Sequence, residues 1–325
     1  MLKLFLRNGF VKFLVINFSC QKSVVGLEHT VLYKGHQNSQ HLLENGDKPV
    51  TICIGVICDD GKKAIAIADR MVTDEEYLAV KFEHLIPKID VLSDNCVAMM
   101  AGDALDPWEY LEQIKSRIGG QRRLPIAQIL EYAKEEFVKL RNKRVNESIF
   151  YKRELTLKDF YKNQANLDSE LVGILDQMVD ECALGIDILL VGVDEDGAQI
   201  HYIVDPGTSK CFNNLGYVST GIGDRHSDIT FVDSKYTSKL PFKQALYLAY
   251  KAKRRAESAP GVGDKFTDIY VISRNCKVVS EATINKLRQI YEKELALGKS
   301  EEINKSIDEM EINYIGREQD ARKQE

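Results

Sequence analysis

The run TICIGVIC, residues 51–58, is followed after DDGKK by AIAIAD, residues 64–69, and no other segment restricts the fold as much. Two β-prone runs joined by an Asp-Gly turn predict a β-hairpin. Neither run alternates with polar residues, so both faces of both strands must be covered, which requires a sheet buried inside a layered fold. KIDVLSDNCVAMMAG repeats the device, with Ser93, Asp94 and Asn95 turning between IDVL and CVAMMAG. Four strands therefore precede the first expected helix.

Helical periodicity then takes over. DPWEYLEQIKSRI has Asp106 and Pro107 as start signals and spaces Trp108, Leu111 and Ile114 along one expected face. PIAQILEYAKEEFVKLRNKR and LDSELVGILDQMVDEC continue as amphipathic helices. GIDILLVGVDEDGAQIHYIVD returns to strand, turn and strand, PFKQALYLAYKAKRRAES is helical, and FTDIYVISRNCKVVS ends in strand. Groups of strands alternate with helix pairs, leaving too few single-helix crossovers for a parallel doubly wound sheet. The expected class is α+β, a four-layer αββα sandwich of two antiparallel sheets between helix layers. This domain is expected over residues 51–282. The charged stretch 283–325 reads as a solvated surface helix that frays.

Residues 1–50 do not share this patterning. MLKLFLRNGFVKFLVINFSC starts like a signal peptide, but Lys12 breaks its apolar run to about seven residues, short for export and far too short to span a membrane. Residues 21–50 show no sustained period, and 1–50 as a whole reads as a disordered leader, a propeptide or an incorrectly assigned start. At 325 residues and 44% hydrophobic content, the rest of the chain suffices for a full core. A formal net charge of -5 gives no electrostatic reason to expect nucleic acid or an anionic membrane as partner. The seven cysteines are scattered, without a C-x-x-C pair or clustered His, so neither zinc nor another metal or cofactor is expected. They read as small buried hydrophobes in a reducing, cytoplasmic compartment.

One set of polar residues stands in a distinctive order. Thr51 opens the first strand, Asp69 closes the second within IADRMVT, Lys88 follows in PKID, and Gly102 stands in AMMAGDALD. In this order the segment resembles the front half of a proteasome-type β subunit or its bacterial protease relatives, which are N-terminal nucleophile (Ntn) hydrolases. The fourteen-residue step from Lys88 to Gly102 is shared with that family. The order of strands and helices follows it through about residue 275, whereas the specific motifs lie in 51–106. The resemblance implies the αββα Ntn fold and the catalytic set Thr51, Asp69, Lys88 and Gly102. By the same analogy Val72, Thr73, Ile86, Met100 and Ala104 bind substrate, with an uncharged first pocket for an apolar side chain.

The chemistry accounts for the grouping. A threonine hydroxyl is a weak nucleophile at neutral pH and needs an adjacent base, for which the α-amine of the same residue is suited when it is free. A nearby ammonium such as Lys88 favours the deprotonated hydroxyl, and Asp69 holds that ammonium in place. The Gly102 backbone N–H is expected to donate to the developing oxyanion. Activity then requires a chain beginning at Thr51, reached by removal of the leader or by translation starting at Val50. Asp103 and Asp106 read as helix cap and dipole residues rather than a metal pair, and His226 in GDRHSD as a surface turn residue.

The sequence departs from the family where relatives carry Gly-Ser-Gly. Here the residues are Gly221, Ile222 and Gly223, leaving Ser219 or Thr220 to supply a hydroxyl. The later Asp and Ser-Gly-Gly cluster has only a loose counterpart in APGVGDKFTD, around Gly261 to Asp268. The expected function is a threonine peptidase acting on peptides or unfolded protein within a homo-oligomeric ring, with an ATP-dependent unfoldase as a possible partner. Two alternatives stay open: an inactive proteasome-like scaffold subunit, and an Ntn amidase of small amides, since fold does not fix substrate.

Overall fold

The computed structural model describes residues 6–7, 10–11, 51–74, 80–83, 87–102, 106–297 and 301–315. Contacts divide the chain into Met1–Gly46 and Asp47–Glu325. In the first unit the described residues form one short antiparallel pair, β1 (Leu6–Arg7) with β2 (Phe10–Val11). Of the leader expected over 1–50 only these four residues are described; the rest of it, Cys20 included, and the tail beyond Ile315 lie outside the described residues.

The second unit is mixed α+β with two antiparallel sheets. A six-stranded sheet has the order β12-β3-β4-β13-β14-β15 and a five-stranded sheet the order β11-β10-β9-β8-β7. Its core hairpin is the expected one, β3 (Cys53–Cys58) with β4 (Lys63–Ala68). Asp59, Asp60 and Gly61 all take positive φ in the turn, a conformation that Asp and Gly tolerate better than other residues. In the five-stranded sheet β7 (Ile89–Ser93) and β8 (Cys96–Ala101) form the second expected hairpin, and β9 (Asp187–Asp194), β10 (Gly197–Val204) and β11 (Thr208–Cys211) complete it. Strand β12 (Tyr217–Thr220) pairs with β3, while β13 (Asp268–Ile272) joins β4 to β14 (Cys276–Val279). A further antiparallel pair, β5 (Met71–Asp74) with β6 (Val80–Glu83), also precedes the first helix, so the expected count of four strands there was too low.

Both faces of the core hairpin are covered. Cys53, Ile57, Ala64 and Ala66 join Val97, Met99, Leu189, Val191 and Ile200 in an apolar layer drawn from both sheets. The alternate residues Ile52, Ile54, Val56, Ile65 and Ile67 pack with residues of α5 (Asp224–Asp233) and α6 (Phe242–Ala256), among them Phe231, Leu246 and Tyr250. On the far side of the five-stranded sheet, Ile188, Leu190 and Ile203 pack with α1 (Asp106–Ile118) and α2 (Ile126–Val145). Full burial of an Ile or Leu side chain contributes roughly 1.5–3 kcal/mol, which is why a strand with no polar face is stable only here.

Two expectations about helices change, and one small core was not expected at all. The buried stripe of α1 is Tyr110, Leu111, Ile114 and Ile118, whereas Trp108 is exposed. At about 100° per residue Trp108 lies about 120° round the helix from Ile114, off the stripe. Between α2 and β9 the chain builds a small core of its own, with Val145, Ile149, Phe150, Phe160, Leu175 and Val179 contributed by α2, a π-turn, α3 (Leu157–Asn163) and α4 (Ser169–Asp180). The segment expected to be a solvated helix from Thr283 packs instead on the main core. Ile284, Leu287 and Ile290 of α7 (Glu281–Leu297) and Ile303 and Ile307 of α8 (Glu301–Asp308) are buried there, and β15 (Tyr314–Ile315) adds a strand to the sheet edge. No helix among the described residues is long and apolar enough to cross a membrane.

Candidate active site

Strand register assembles the polar set. Cys53 pairs with Ala68 in the β3–β4 ladder, so Thr51, just before β3, and Asp69, just after β4, meet at the same sheet end. The Asp69 N–H donates to Ile52 O and the Ile52 N–H to Asp69 Oδ1, both at 3.3 Å. Lys88 precedes β7 of the other sheet and reaches across to the pair. Thr51 and Asp69 are buried.

The three side chains form a closed network. Thr51 Oγ1 donates to Asp69 Oδ1 at 2.6 Å, Lys88 Nζ donates to the same carboxylate oxygen at 3.0 Å, and Lys88 Nζ also donates to Thr51 Oγ1. Asp69 is thereby a buried carboxylate facing an ammonium whose side chain is 16% exposed. Burying a carboxylate is costly unless it is paired and hydrogen-bonded, and this one is both. Its second oxygen, Oδ2, accepts from the Gly263 N–H at 2.7 Å. That donor lies in the APGVGDKFTD loop and serves the site through backbone alone.

Two glycines pack at the same end. Gly102 follows β8 at φ +130°, and a Cβ there would lie 2.4 Å from Gly185 O. Gly221 follows β12 at φ +104°, and a Cβ there would lie 2.2 Å from Thr51 O. Neither position accepts another residue, on conformation or on space. Met100 O accepts from Cys53 Sγ at 3.5 Å, which sets the end of β8 beside the start of β3. Cys53 itself is no competing nucleophile: burial, only partly offset by Lys88, pushes its thiol up to about 12.

A second carboxylate stands nearby. Asp187 opens β9 opposite Ala101, and its Oδ2 accepts from Tyr202 OH at 2.6 Å and from Thr220 Oγ1 at 2.7 Å. Burial, and then Asp187, raise the Tyr202 phenol above its ordinary value. Next to the site, Arg70 holds Asp268 through two bonds of 2.7 and 2.6 Å.

The structure joins Thr51, Asp69 and Lys88 directly and sets Gly102 at the end of the adjoining strand. Met100 is partly buried there, Val72 and Thr73 lie on β5, and Ile86 and Ala104 lie outside the described residues. Asp103 lies outside them too, and α1 begins at Asp106. His226 is exposed on the first turn of α5 rather than in a surface turn. Neither of the hydroxyls expected in place of the family's serine is bonded to Thr51: Ser219 Oγ bonds Ser227 Oγ at 2.7 Å, Thr220 bonds Asp187, and Ile222 packs against the core. Sequence reasoning missed Gly263, Asp187 and Tyr202. The first has no side chain to notice, and the others have partners far along the chain. Among the described residues no group of three or more His, Cys, Asp or Glu is arranged to hold a metal ion.

Compared with known proteins, the sequence matches no protein-family model and no curated protein.

Proposed function

We propose that this protein is a threonine-type Ntn hydrolase that cleaves peptide bonds, built on a four-layer αββα sandwich. The observation that carries the reading is the buried Thr51 Oγ1 held between the Asp69 carboxylate and the Lys88 ammonium at the start of a core strand. A lone strand-end threonine has no need of a cation against its hydroxyl. A cation against its hydroxyl oxygen favours the alkoxide form and so prepares a nucleophile.

In a chain beginning at Thr51, the free α-amine accepts the hydroxyl proton as Oγ1 bonds to the substrate carbonyl carbon. Lys88 offsets the charge on Oγ1, Asp69 keeps Lys88 aligned, and the Gly102 N–H donates to the oxyanion. The amine then passes its proton to the leaving nitrogen as the C–N bond breaks, leaving an ester on Thr51 that water hydrolyses. The same reading includes an apolar first pocket that takes in Met100, peptide or unfolded-protein substrates, and assembly into a homo-oligomeric ring in the cytoplasm.

A second reading, an inactive scaffold subunit, draws on the site's missing hydroxyl: Ile222 stands where relatives carry serine, and Ser219 and Thr220 are engaged elsewhere. The two readings separate in one experiment. Intact mass of the natural protein gives the first residue of the mature chain, and a peptide vinyl sulfone incubated with a Thr51-initiated chain gives the site of modification. The peptidase reading expects a chain starting at Thr51 and a single adduct on that residue. A mature chain that retains Met1, or a Thr51-initiated chain that takes up no probe and cleaves no peptide, transfers the assignment to the scaffold.

A further inference from the structure

Lys253 of α6 is fully buried, and the chemistry described above does not use it. A buried ammonium is tolerated only when its charge is paired and its donors are used. Lys253 meets both conditions. Its Nζ donates to Glu257 Oε1 at 2.5 Å, to Gly263 O at 2.9 Å and to Phe266 O at 3.3 Å, three acceptors for three protons. Glu257 closes the charge from one turn further on, and burial raises its carboxyl above the ordinary range.

The two carbonyls belong to the loop between α6 and β13. From that loop the Gly263 N–H reaches Asp69 Oδ2 at 2.7 Å. Gly263 is therefore gripped on both sides, its carbonyl by Lys253 and its N–H by Asp69. With Oδ2 engaged, the Asp69 carboxylate cannot rotate freely, and Oδ1 stays directed at Thr51 and Lys88.

We propose that Lys253 is a positioning residue for the Thr51 site, clamping the 257–266 loop so that the Gly263 N–H fixes the Asp69 carboxylate. This rests on Thr51 as the nucleophile. Lys253 touches no reacting atom, so its loss acts on the rate of the bond-forming step and leaves the affinity for the probe unchanged. Small misplacements in a catalytic network cost about 10²-fold in rate at the upper end.

The test is the kinetics of covalent modification of the Thr51-initiated protein by a peptide vinyl sulfone, resolved into a maximal rate and a half-saturating concentration. Lys253→Met should lower the maximal rate about tenfold or more and move the half-saturating concentration less than about twofold. Glu257→Gln removes the counter-charge but leaves Nζ both carbonyl acceptors, so it should cost stability while lowering the rate about threefold at most. A Lys253→Met protein that reacts at the wild-type rate overturns the proposal, as does an equal loss in both variants, because the ion pair rather than the loop clamp would then be the active contact. Should Lys253→Met fail to fold, hydrogen exchange of the wild-type protein decides. The clamp expects a protected Gly263 amide, and exchange at the rate of an open loop removes it. If the wild type itself takes no probe, the Thr51 reading has failed and the clamp is judged by that exchange measurement alone.

Discussion

Two carboxylates at the same end of the sheets are put to different uses. Asp69 takes its donors from a hydroxyl, an ammonium and two backbone N–H groups, whereas Asp187 takes a phenol and a hydroxyl on a single oxygen. The presence of Lys88 is what separates them. A hydroxyl bonded to a carboxylate alone is merely held, but one that also touches an ammonium has a stabilised alkoxide within reach. Asp187 does something mechanical instead. It and Tyr202 belong to the five-stranded sheet and Thr220 to the six-stranded one, so their bonds latch the sheets together where Gly102 and Gly221 leave them.

The largest expected effect breaks the Asp69 cluster at its hydroxyl. Thr51→Ala, made with residue 51 as the mature N-terminus, should abolish both probe uptake and peptide cleavage, while Thr51→Ser, which keeps hydroxyl and amine, retains measurable turnover. Peptide cleavage by a pure Thr51→Ala protein would sink the nucleophile assignment. Next in size, Lys88→Ala should lower the rate about 10²–10⁴-fold with little change in melting temperature, because the side chain is partly exposed and its loss opens no large cavity. Near-normal turnover in that variant would mean that the ammonium makes Asp69 no different from Asp187.

The latch should answer in stability instead. Thr220→Val removes one donor to Asp187 in a similar volume and should cost about 1–3 kcal/mol in denaturant unfolding, with a smaller proportional effect on turnover than Lys88→Ala. A large rate loss at unchanged stability would move Asp187 into the reacting set. The smallest effect is the slope of stability with pH. The Tyr202 phenol is raised above its ordinary value by burial, then by Asp187. The unfolded chain therefore loses that proton first. Its contribution is fully present below about pH 10 and is lost as pH rises toward the folded value. Melting temperatures measured from pH 8 to 11 should fall less steeply in Tyr202→Phe than in wild type. Other tyrosines, among them the buried Tyr110 and the half-buried Tyr236, are raised by desolvation too, so the decline is reduced rather than removed.

The Asp69 cluster was legible in the sequence and the Asp187 cluster was not. Thr51 and Asp69 flank a hairpin whose two runs and Asp-Gly turn declare the pairing, and register then dictates that the flanks meet. Asp187 is bound to Tyr202 and Thr220 across gaps of 15 and 33 residues, with no local pattern to announce it. Gly263 and Gly221 act through backbone and close approach, which leave no signature in a string of side chains. The core strands were readable because both their faces are apolar. The β5–β6 pair was missed because EEYLA, residues 75–79, holds no Gly, Pro, Asn or Asp to signal a tight turn between its strands. The helices after residue 280 were misjudged because their charge outweighs a short buried stripe of Ile284, Leu287 and Ile290.

The pairing of β4 with β13 has a consequence for synthesis. Ile65 lies opposite Val271, and Gly55 opposite Val218, so the β3–β4 hairpin gains its two neighbours only after residues 220 and 272 have been made. Until then a ribbon apolar on both faces waits with both edges open. Contacts this distant in the chain close slowly, and unpaired apolar strands are the species that associate wrongly. A fragment ending before β13 should therefore keep the site hairpin with one edge unpaired and associate more readily than the full chain, which light scattering of the two would show.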